Sequence, residues 1–352
     1  MPIDNLHIES EAPLTPPEDI RSEYPRSEKA NSTVEDSRNS IQDILTGRDS
    51  RIFIVAGPCS IHNPEEAEEY GAKLQALSRD VEDRIILVMR VYFEKPRTTV
   101  GWKGLIYDPD LDGSYNMEKG IRLARKILLS INEMGLATGT EILDPITPQY
   151  ISDLISWAAI GARTSESQTH RQLASGLSMP VGFKNATDGS IAVAVDAVRT
   201  ASSKHSFIGI TASGRSGIFS TTGNSYCHIV LRGGGPEGTN YGSEHIAFAR
   251  ELMKKKGCDP RIMVDCSHGN SRKIPANQKK VMKDVTRQIC SGEKSIIGFM
   301  LESNLSTGRQ DIIPGSKLKP GISITDECLG WEESEELIRQ TYEMLSQGNK
   351  TR

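Results

Sequence analysis

The segment from Arg90 to Thr99 concentrates cations and hydroxyl groups immediately after an apolar run. Its candidate ligand-binding residues are Arg90, Lys95, Arg97, Thr98 and Thr99. Burying a cation where a strand ends is unfavourable unless an anion meets it there. Arginine, lysine and threonine supply the donors that a phosphate group accepts. The segment therefore favours an anion site, although a single basic loop is more often a solvated surface.

Further cations follow other apolar runs, at Arg163, Lys184 and Arg232. Each of them alone is explained by a structural ion pair. Together with Arg90, Lys95 and Arg97 they would repel one another strongly in a chain of net charge −4 unless anionic ligands separated them. If the fold brings these positions together, the pattern predicts a substrate with several negative charges.

A second set of side chains combines a thiol, an imidazole and two carboxylates. It comprises Cys59, His268, Glu302 and Asp326, while Glu141 follows another apolar run. This mixture is a ligand set for a divalent transition metal. Simpler roles exist for each residue: a buried thiol, an ion-pair partner or a helix N-cap. Their separations along the chain are large, so only the fold could make them one site.

Short apolar runs alternate with helical periodicities, which indicates a parallel sheet covered by helices. The predicted strands are Ile52–Ala56, Ile85–Val91, Ala137–Ile142, Ala158–Ala162, Val181–Lys184, Phe207–Thr211, His228–Leu231, Ile262–Cys266 and Ile296–Leu301. Asn63 and Pro64 are typical of a helix start, Gly135 of a helix end, and Thr147 with Pro148 of another start. The other predicted helices lie near Ser190–Ser202, Ser243–Lys256, Gln278–Ser291 and Glu333–Leu345.

One of these strands does not fit a βα repeat, because the segment from Phe207 to Cys227 contains no helical periodicity. Its glycine- and serine-rich centre predicts a β-hairpin insertion near residues 211–225. The remaining units predict an α/β (β/α)8 TIM barrel, with a doubly wound open sheet as the alternative. In a barrel the carboxyl ends of all strands share one face, which would collect both sets of side chains.

The composition narrows the class of protein further. A net charge of −4 over 352 residues argues against nucleic-acid binding driven by overall charge. No apolar run reaches membrane-spanning length, and the N-terminus lacks the apolar region of a signal peptide. The six cysteines contain no C-x-x-C pair. These features predict a cytoplasmic protein with reduced thiols and no membrane association.

The chain divides into two predicted parts. Residues 1–45 are rich in Ser, Glu, Pro and Asn and predict a partly ordered N-terminal extension that closes with a short helix around Ser40–Leu45. Such an extension would serve oligomerisation or regulation. Residues 46–352 form the predicted catalytic barrel with its hairpin insertion.

Long strings of the chain resemble the class I 3-deoxy-D-arabino-heptulosonate-7-phosphate (DAHP) synthases, of the type regulated by aromatic amino acids. The strings are GPCSIH at 57–62, EKPRTTVGWKGLI at 94–106, TPQY at 147–150, IGAR at 160–163, ESQTHRQLASGLSMPVGFKN at 166–185, IVLRGG at 229–234, DCSHGNS at 265–271 and SITDECLGWE at 323–332. The resemblance extends over residues 40–346. It implies a (β/α)8 barrel with an N-terminal extension and an inserted hairpin. It also implies an enzyme of the shikimate pathway that joins phosphoenolpyruvate to erythrose 4-phosphate and releases phosphate.

The resemblance implies a role for each candidate residue. A divalent metal ion (Mn, Fe, Co or Zn) would bind Cys59, His268, Glu302 and Asp326. Phosphoenolpyruvate would meet Arg90, Lys95, Arg163, Lys184 and Arg232. The phosphate of erythrose 4-phosphate would meet Arg97 and Thr98. Lys184, Glu141 or a metal-linked group would move protons, and the residues do not decide among them.

Regulation is where the chain departs from the family pattern. Ala186 replaces a glycine, Ala212 replaces a lysine, and the hairpin is otherwise divergent. The effector could therefore be tyrosine, phenylalanine, tryptophan or none. The family also implies a homodimer or a homotetramer.

Two other functions compete with the synthase. One is a related 3-deoxy-sugar-acid phosphate synthase that uses another aldose phosphate, and the other is an inactive regulatory paralogue. The KPRTT string favours the four-carbon sugar. Presence of every expected ligand and cation argues against the paralogue.

Overall fold

The computed structural model describes residues 3–234, 238–313 and 316–348 of the chain. Within these ranges the strands are β1 (Ile52–Gly57), β2 (Ile85–Arg90), β3 (Ala137–Glu141), β4 (Trp157–Ile160), β5 (Val181–Lys184), β6 (Ser206–Ile210), β7 (Ser216–Ser220), β8 (Cys227–Leu231), β9 (Ile262–Asp265) and β10 (Ile296–Glu302). The helices are α1 (Pro17–Glu23), α2 (Glu28–Thr46), α3 (Pro64–Val81), α4 (Met117–Glu133), α5 (Pro148–Ile151), α6 (Gln168–Ala174), α7 (Ile191–Ala201), α8 (Ser243–Lys255), α9 (Asn277–Cys290) and α10 (Trp331–Gly348). Among these described helices, none combines the length and the apolar character needed to cross a membrane.

Eight parallel strands close into a barrel in the order β1-β10-β9-β8-β5-β4-β3-β2. The strands are almost completely buried, as expected for short apolar runs covered by helices on the outside. Phe53, Trp157 and Met300 belong to the cluster that fills the interior. The predicted (β/α)8 barrel is confirmed, and the open-sheet alternative is excluded by the closed order.

The insertion is an antiparallel hairpin of β6 and β7 that lies outside the barrel. It spans Ser206–Ser220, so it begins before the predicted range of 211–225, whose first residues form its turn. The turn closes where Thr211 N donates to Arg215 O at 2.8 Å. Apart from Ser206, both arms lie within the segment Phe207–Cys227, whose lack of helical periodicity predicts the insertion.

Local sequence signals set the helix ends. Asn63 caps α3 by accepting from Glu66 N at 3.1 Å, with Pro64 at the first helical position. Gly135 follows α4 with φ of 85°, which a glycine adopts without strain. The helix α6 was not predicted, because it is short and carries few apolar residues. Ser167 caps it by accepting from His170 N.

The N-terminal extension is more ordered than the sequence indicates. Helix α2 runs from Glu28 to Thr46, not only around Ser40–Leu45. Its polar sequence has a weak apolar stripe, but Ile41, Ile44 and Leu45 join the cluster inside the barrel and cover the end at which the strands begin. The Arg38 guanidinium also donates to Ile155 O at 2.9 Å and 2.8 Å. Contact with the barrel therefore supplies stability that helix propensity alone does not.

Arg125 on α4 fastens this extension to the barrel, so its removal tests the attachment. The side chain is 1% exposed and donates to Asp153 at 2.8 Å and 3.0 Å and to Tyr24 O at 2.9 Å. We expect Arg125→Met to reduce the free energy of unfolding by about 3 kcal/mol, because Asp153 loses its buried partner. Urea unfolding measures this loss. As the control, Arg48→Ala removes an exposed ion pair and should cost less than about 1 kcal/mol; equal losses would contradict the prediction.

Candidate active site

Three of the predicted metal ligands meet at the carboxyl ends of the strands. One donor atom from each of Cys59, Glu302 and Asp326 lies within 4.8 Å of the other two. The register explains part of this approach: Gly57 pairs with Glu302 across β1 and β10, so Cys59 leaves its strand beside Glu302. Cys59 and Glu302 are buried, whereas Asp326 is exposed. A thiol and two carboxylates in this arrangement fit a divalent transition metal.

Neighbouring groups hold these donors in place. Gln278 Nε2 donates to Glu302 O at 3.0 Å, and Glu302 N donates to Gln278 Oε1 at 2.9 Å. The loop of Asp326 is attached to the loop of Cys59 by the hydroxyl groups of Ser60 and Thr325, which lie 2.8 Å apart. The donors thus come from a supported framework, which is what a metal site requires of its surroundings.

His268 borders the three donors. Its Nε2 lies 3.8 Å from Glu302 Oε1, while its Nδ1 lies 2.9 Å from Asp265 Oδ2 and 2.7 Å from Ser267 Oγ. One ring nitrogen is therefore held by a carboxylate and a hydroxyl while the other faces the donors, as is usual for a metal-binding histidine. His268 also has a φ of 54°, which is strained for a residue with a side chain.

Two of the predicted cations contact the same donor groups. Arg90 is 1% exposed and donates through Nη2 to Glu302 Oε1 at 3.0 Å and to Cys59 O at 3.2 Å. Lys95 Nζ lies 3.2 Å from Cys59 Sγ. The guanidinium also stacks on Tyr92, with Cζ 3.5 Å from the ring centroid. The cationic and the metal-type groups therefore form one cluster rather than two.

Lys184 and Arg232 both lie near Asp265. Lys184 is buried and donates to Asp265 Oδ2 at 3.0 Å. Burial would raise the pKa of Asp265, but Lys184 and His268 hold that pKa well below its usual range. Burial lowers the pKa of Arg232, and Asp265 opposes this effect while Arg163 adds to it. Arg163 itself is exposed.

Glu141 at the end of β3 is buried and acts electrostatically on Lys95. In the described part of the chain its Oε1 finds no hydrogen-bond partner. A Cβ on Gly161 would lie 2.3 Å from that oxygen, so the glycine leaves the room that the carboxylate occupies. A buried carboxylate oxygen without a partner indicates a place for water or a ligand.

Arg97 and Thr98 are not brought to the cluster. Both are exposed, and Arg97 Nε donates to Trp102 O at 2.7 Å within its own loop. The two residues predicted to bind a second phosphate therefore lie apart from the cluster and face solvent.

The electrostatics of the donors follow from burial and charge. Burial, reinforced by Glu302, raises the pKa of Cys59, although Lys95 opposes the shift. The thiol therefore keeps its proton at neutral pH unless another positive charge is added. Although Asp326 is exposed at its edge, partial loss of hydration opposes its ionisation; Lys95 and His268 outweigh this effect and lower the pKa of Asp326 overall.

A cavity of about 280 Å³ opens beside the donors. His268, Glu302 and Asp326 line it together with two further cations, Lys273 and Arg309. A space of this size approaches that of a small-molecule site. The arrangement can hold a metal ion and an anionic substrate next to each other.

Comparison with known proteins decides the family. The model of the DAHP synthetase I family matches residues 25–339. The chain belongs to the DAHP synthetase I family.

Relatives agree over almost the whole length. The Tyr-sensitive phospho-2-dehydro-3-deoxyheptonate aldolase of Escherichia coli (strain K12) is 50% identical over 345 residues, which cover 98% of this chain and 96% of the relative. The Phe-sensitive enzyme of the same strain is 51% identical over 337 residues, 96% of each chain. The solved structure of phospho-2-dehydro-3-deoxyheptonate aldolase from Francisella tularensis SCHU S4 superposes with a TM-score of 0.94 at 47% identity, covering 96% of this chain and 98% of that one.

Several contributors to this DAHP synthetase I site were missed in the sequence. Asp265 pairs with both Lys184 and His268, and Tyr92 lies under Arg90 with Lys95 and Lys184 near its ring. Asp265 was visible as a carboxylate at a strand end, but nothing indicated its partners. Gln278 gave no signal, because its contacts depend on where α9 packs.

The ion pair between Asp265 and Lys184 can be tested by its effect on stability, because Asp265 neutralises Lys184 where both side chains are buried. The side chains of Lys184 and Asp265 are 4% and 0% exposed. We expect Asp265→Asn to reduce the free energy of unfolding at pH 7 by about 3–5 kcal/mol, since a buried ammonium group loses its anion. Chemical denaturation measures the change. Asp83→Asn, which affects a carboxylate that is 60% exposed, should change stability by less than about 1 kcal/mol. A near-neutral Asp265→Asn variant would refute the argument.

Proposed function

We propose that the cluster at the strand ends catalyses the DAHP synthase reaction in this chain, the condensation of phosphoenolpyruvate with erythrose 4-phosphate and water to DAHP and phosphate. The observation that carries the proposal is the contact of the buried Arg90 and the half-buried Lys95 with a thiol–carboxylate donor set in one cluster. The family name and the names of the relatives agree with it. An aldose of another length and an inactive paralogue have no comparable observation in their favour.

The cations would bind phosphoenolpyruvate. Lys184 at the end of β5 and Arg232 just after the neighbouring strand β8 both interact with Asp265. Arg163 would add a third positive charge near Arg232. Arg90 and Lys95 would complete the charge around the carboxylate and phosphate of this substrate. In the absence of substrate the charge of Arg90 is balanced by Glu302, while Lys95 contacts the neutral thiol of Cys59, and these contacts keep both cations in place before binding.

Cys59, His268, Glu302 and Asp326 would hold the divalent metal ion. When bound, the metal would supply a Lewis acid for the aldehyde oxygen of the tetrose. The donor set supports Mn, Fe, Co or Zn equally, because mixed sulfur, nitrogen and oxygen ligands suit several of them.

Proton movement would fall to Glu141 or Lys184, or to a metal-linked group. Lys184 is held by Asp265 at 3.0 Å, whereas Glu141 Oε1 lacks a hydrogen-bond partner among the described residues. This difference supports Glu141 as the group that orients the water adding to carbon 2 of phosphoenolpyruvate.

Arg97 and Thr98 would bind the phosphate of erythrose 4-phosphate. Both side chains are exposed, which supports a phosphate position outside the buried cluster. The loop would thus hold the two substrates in register while keeping their phosphates apart.

Regulation and assembly belong to the same proposal. Tyr-sensitive and Phe-sensitive relatives support an aromatic amino acid as effector, without choosing which one. The hairpin exposes Ile208 and Ile218, each 82% exposed and directly paired, which supports a homodimer or homotetramer that covers them. The cytoplasm remains the proposed location.

The metal assignment predicts a requirement that can be measured directly. Phosphate release from phosphoenolpyruvate should need erythrose 4-phosphate, stop after chelation and return with manganese or cobalt. Cys59→Ala should weaken metal binding in equilibrium dialysis by at least about tenfold, because a ligand is lost. The control Cys290→Ala alters a half-buried thiol away from the cluster and should bind metal normally. Activity after exhaustive metal removal, or unchanged metal binding by Cys59→Ala, would disprove the assignment.

The exposed position of Arg97 predicts that its removal affects the KM of one substrate more than that of the other. Arg97→Ala should raise the KM for erythrose 4-phosphate about tenfold or more, since a charge-assisted hydrogen bond is worth about 1.5–3 kcal/mol. The KM for phosphoenolpyruvate should change much less. Arg79→Ala on α3 is the matched control, as it removes an exposed arginine elsewhere. A larger effect on phosphoenolpyruvate would mean that the two phosphate positions are exchanged.

A further inference from the structure

Glu94 is a buried carboxyl group at the base of the loop that contains Lys95 and Arg97. Its side chain is 2% exposed. The next residue, Lys95, places Nζ 3.2 Å from Cys59 Sγ. None of the roles proposed above uses Glu94. A carboxyl group that is buried next to a substrate-binding lysine needs hydrogen-bond partners among its own neighbours.

The two arms of this loop, residues 94–106 and here called the substrate loop, touch at Glu94. Lys95 N donates to Lys103 O at 2.9 Å, and Ile106 N donates to Phe93 O at 3.3 Å. Gly104 has φ of 113°, and a Cβ there would lie 2.1 Å from Phe93 O and 2.8 Å from Glu94 Cα. The backbones are therefore in direct contact, and a displacement of Glu94 moves the base of the substrate loop.

The Glu94 side chain reaches the loop that precedes α5. Thr147 Oγ1 donates to Glu94 Oε1 at 3.2 Å, and the backbone N–H of Asp144 donates to the same carboxyl group. Asp144 is itself fixed, because it accepts from Tyr107 OH at 2.9 Å and from Ile146 N at 2.7 Å. Glu94 thus connects the substrate loop to a second loop that is held in place.

The charges that face Glu94 are negative. Burial, with repulsion from Asp144 and Glu141, raises the pKa of Glu94 to about 8, although its hydrogen bonds oppose the shift. The same surroundings raise the pKa of Tyr107, so that group stays neutral. Lys95 turns toward Cys59, and Lys103 contacts the ring of Tyr107 at 6.0 Å from its centroid. At neutral pH the carboxyl group therefore retains its proton.

We propose that Glu94 is a positioning residue that, as a neutral carboxylic acid, holds the substrate loop in its substrate-binding arrangement. The proposal rests on the function proposed above, since it takes Lys95 and Arg97 as substrate-binding groups. Glu94 exchanges no proton with substrate. Loss of its proton would create a buried negative charge beside Asp144 and Glu141, and the substrate loop would open to solvate it.

The first test needs no catalytic activity. Glu94→Gln replaces the neutral acid by a neutral amide of the same shape. An unfolded glutamate titrates near pH 4.3, so between about pH 4.3 and 8 the unfolded wild type is ionised while the folded protein keeps its proton. Wild-type stability should therefore fall relative to Glu94→Gln as the pH rises. We expect the difference in urea midpoint to shift by about 0.5 M or more between pH 5 and pH 8.

The matched control is Glu133→Gln, which changes an exposed carboxylate on α4. Its urea midpoint should follow that of the wild type at both pH values. A midpoint difference between wild type and Glu94→Gln that is the same at pH 5 and pH 8 would overturn the proposal, because Glu94 would then titrate alike in both states.

The second test follows the loop and the reaction. Amide hydrogen exchange over residues 95–106, corrected for its intrinsic pH dependence, should show protection falling between pH 7 and pH 9 in the wild type but not in Glu94→Gln. The KM values of Glu94→Gln should likewise rise less at alkaline pH. At pH 7, Glu94→Ala should raise the KM for both substrates at least about tenfold while Glu94→Gln stays near wild type.

Equal loss of loop protection in wild type and Glu94→Gln at pH 9 would refute the proposal, even if Glu94→Ala fails to fold. If no protein in the series makes DAHP, the proposed function fails. The unfolding and exchange measurements would then still decide whether Glu94 holds the loop.

Discussion

The buried carboxylate of Asp265 is the interaction on which the candidate site depends. It lies at the end of β9 and pairs with Lys184 from β5 and with His268 from the following loop. Without it, an ammonium group and an imidazole would share a dry space with no anion of their own. One carboxylate therefore links the cations proposed for phosphoenolpyruvate to the donors proposed for the metal, and it fixes the orientation of both.

The site balances part of its positive charge before any ligand arrives. Arg90 donates to Glu302, Lys95 contacts Cys59, and Lys184 contacts Asp265. Two of these three cations thus meet a carboxylate, which reduces the mutual repulsion of the cations that a chain of net charge −4 gathers at one end of its barrel. It also means that a substrate anion and a metal ion would bind by exchanging partners: the metal would take the thiol and carboxylates, and the anion would take the cations thereby released. Binding of each ligand is then expected to strengthen binding of the other. The metal would separate the thiol and carboxylates from the cations, and the anion would separate the cations from the thiol and carboxylates.

Much of the fold could be predicted, because strand burial and helix caps are local signals. Asn63 before Pro64 predicted the start of α3, and the absence of helical periodicity after Phe207 predicted the hairpin. Helix α2 could not be predicted at its full length, because its stability comes from Ile41, Ile44 and Leu45 packing into the barrel. In the site, residue types at strand ends identified Cys59, Glu302 and Asp326, whose proximity follows from barrel closure. Asp265 was visible as a carboxylate at a strand end, but its partners, like those of Tyr92 and Gln278, are remote in sequence, so residue type and spacing did not reveal what these residues contact.

The substrate loop shows why burial has to be known before a residue can be interpreted. In the sequence, Glu94 is one more charged residue beside Lys95 and Arg97, and it would be interpreted as their counter-ion. The structure separates them: Lys95 turns to Cys59, Arg97 bonds within its loop, and Glu94 lies at the loop base facing Asp144 and Glu141. A carboxyl group facing two others stabilises the closed loop only while it is uncharged. Lys95 and Arg97 would thus be placed by a neutral acid rather than by an ion pair, which leaves their full charge available to the phosphates.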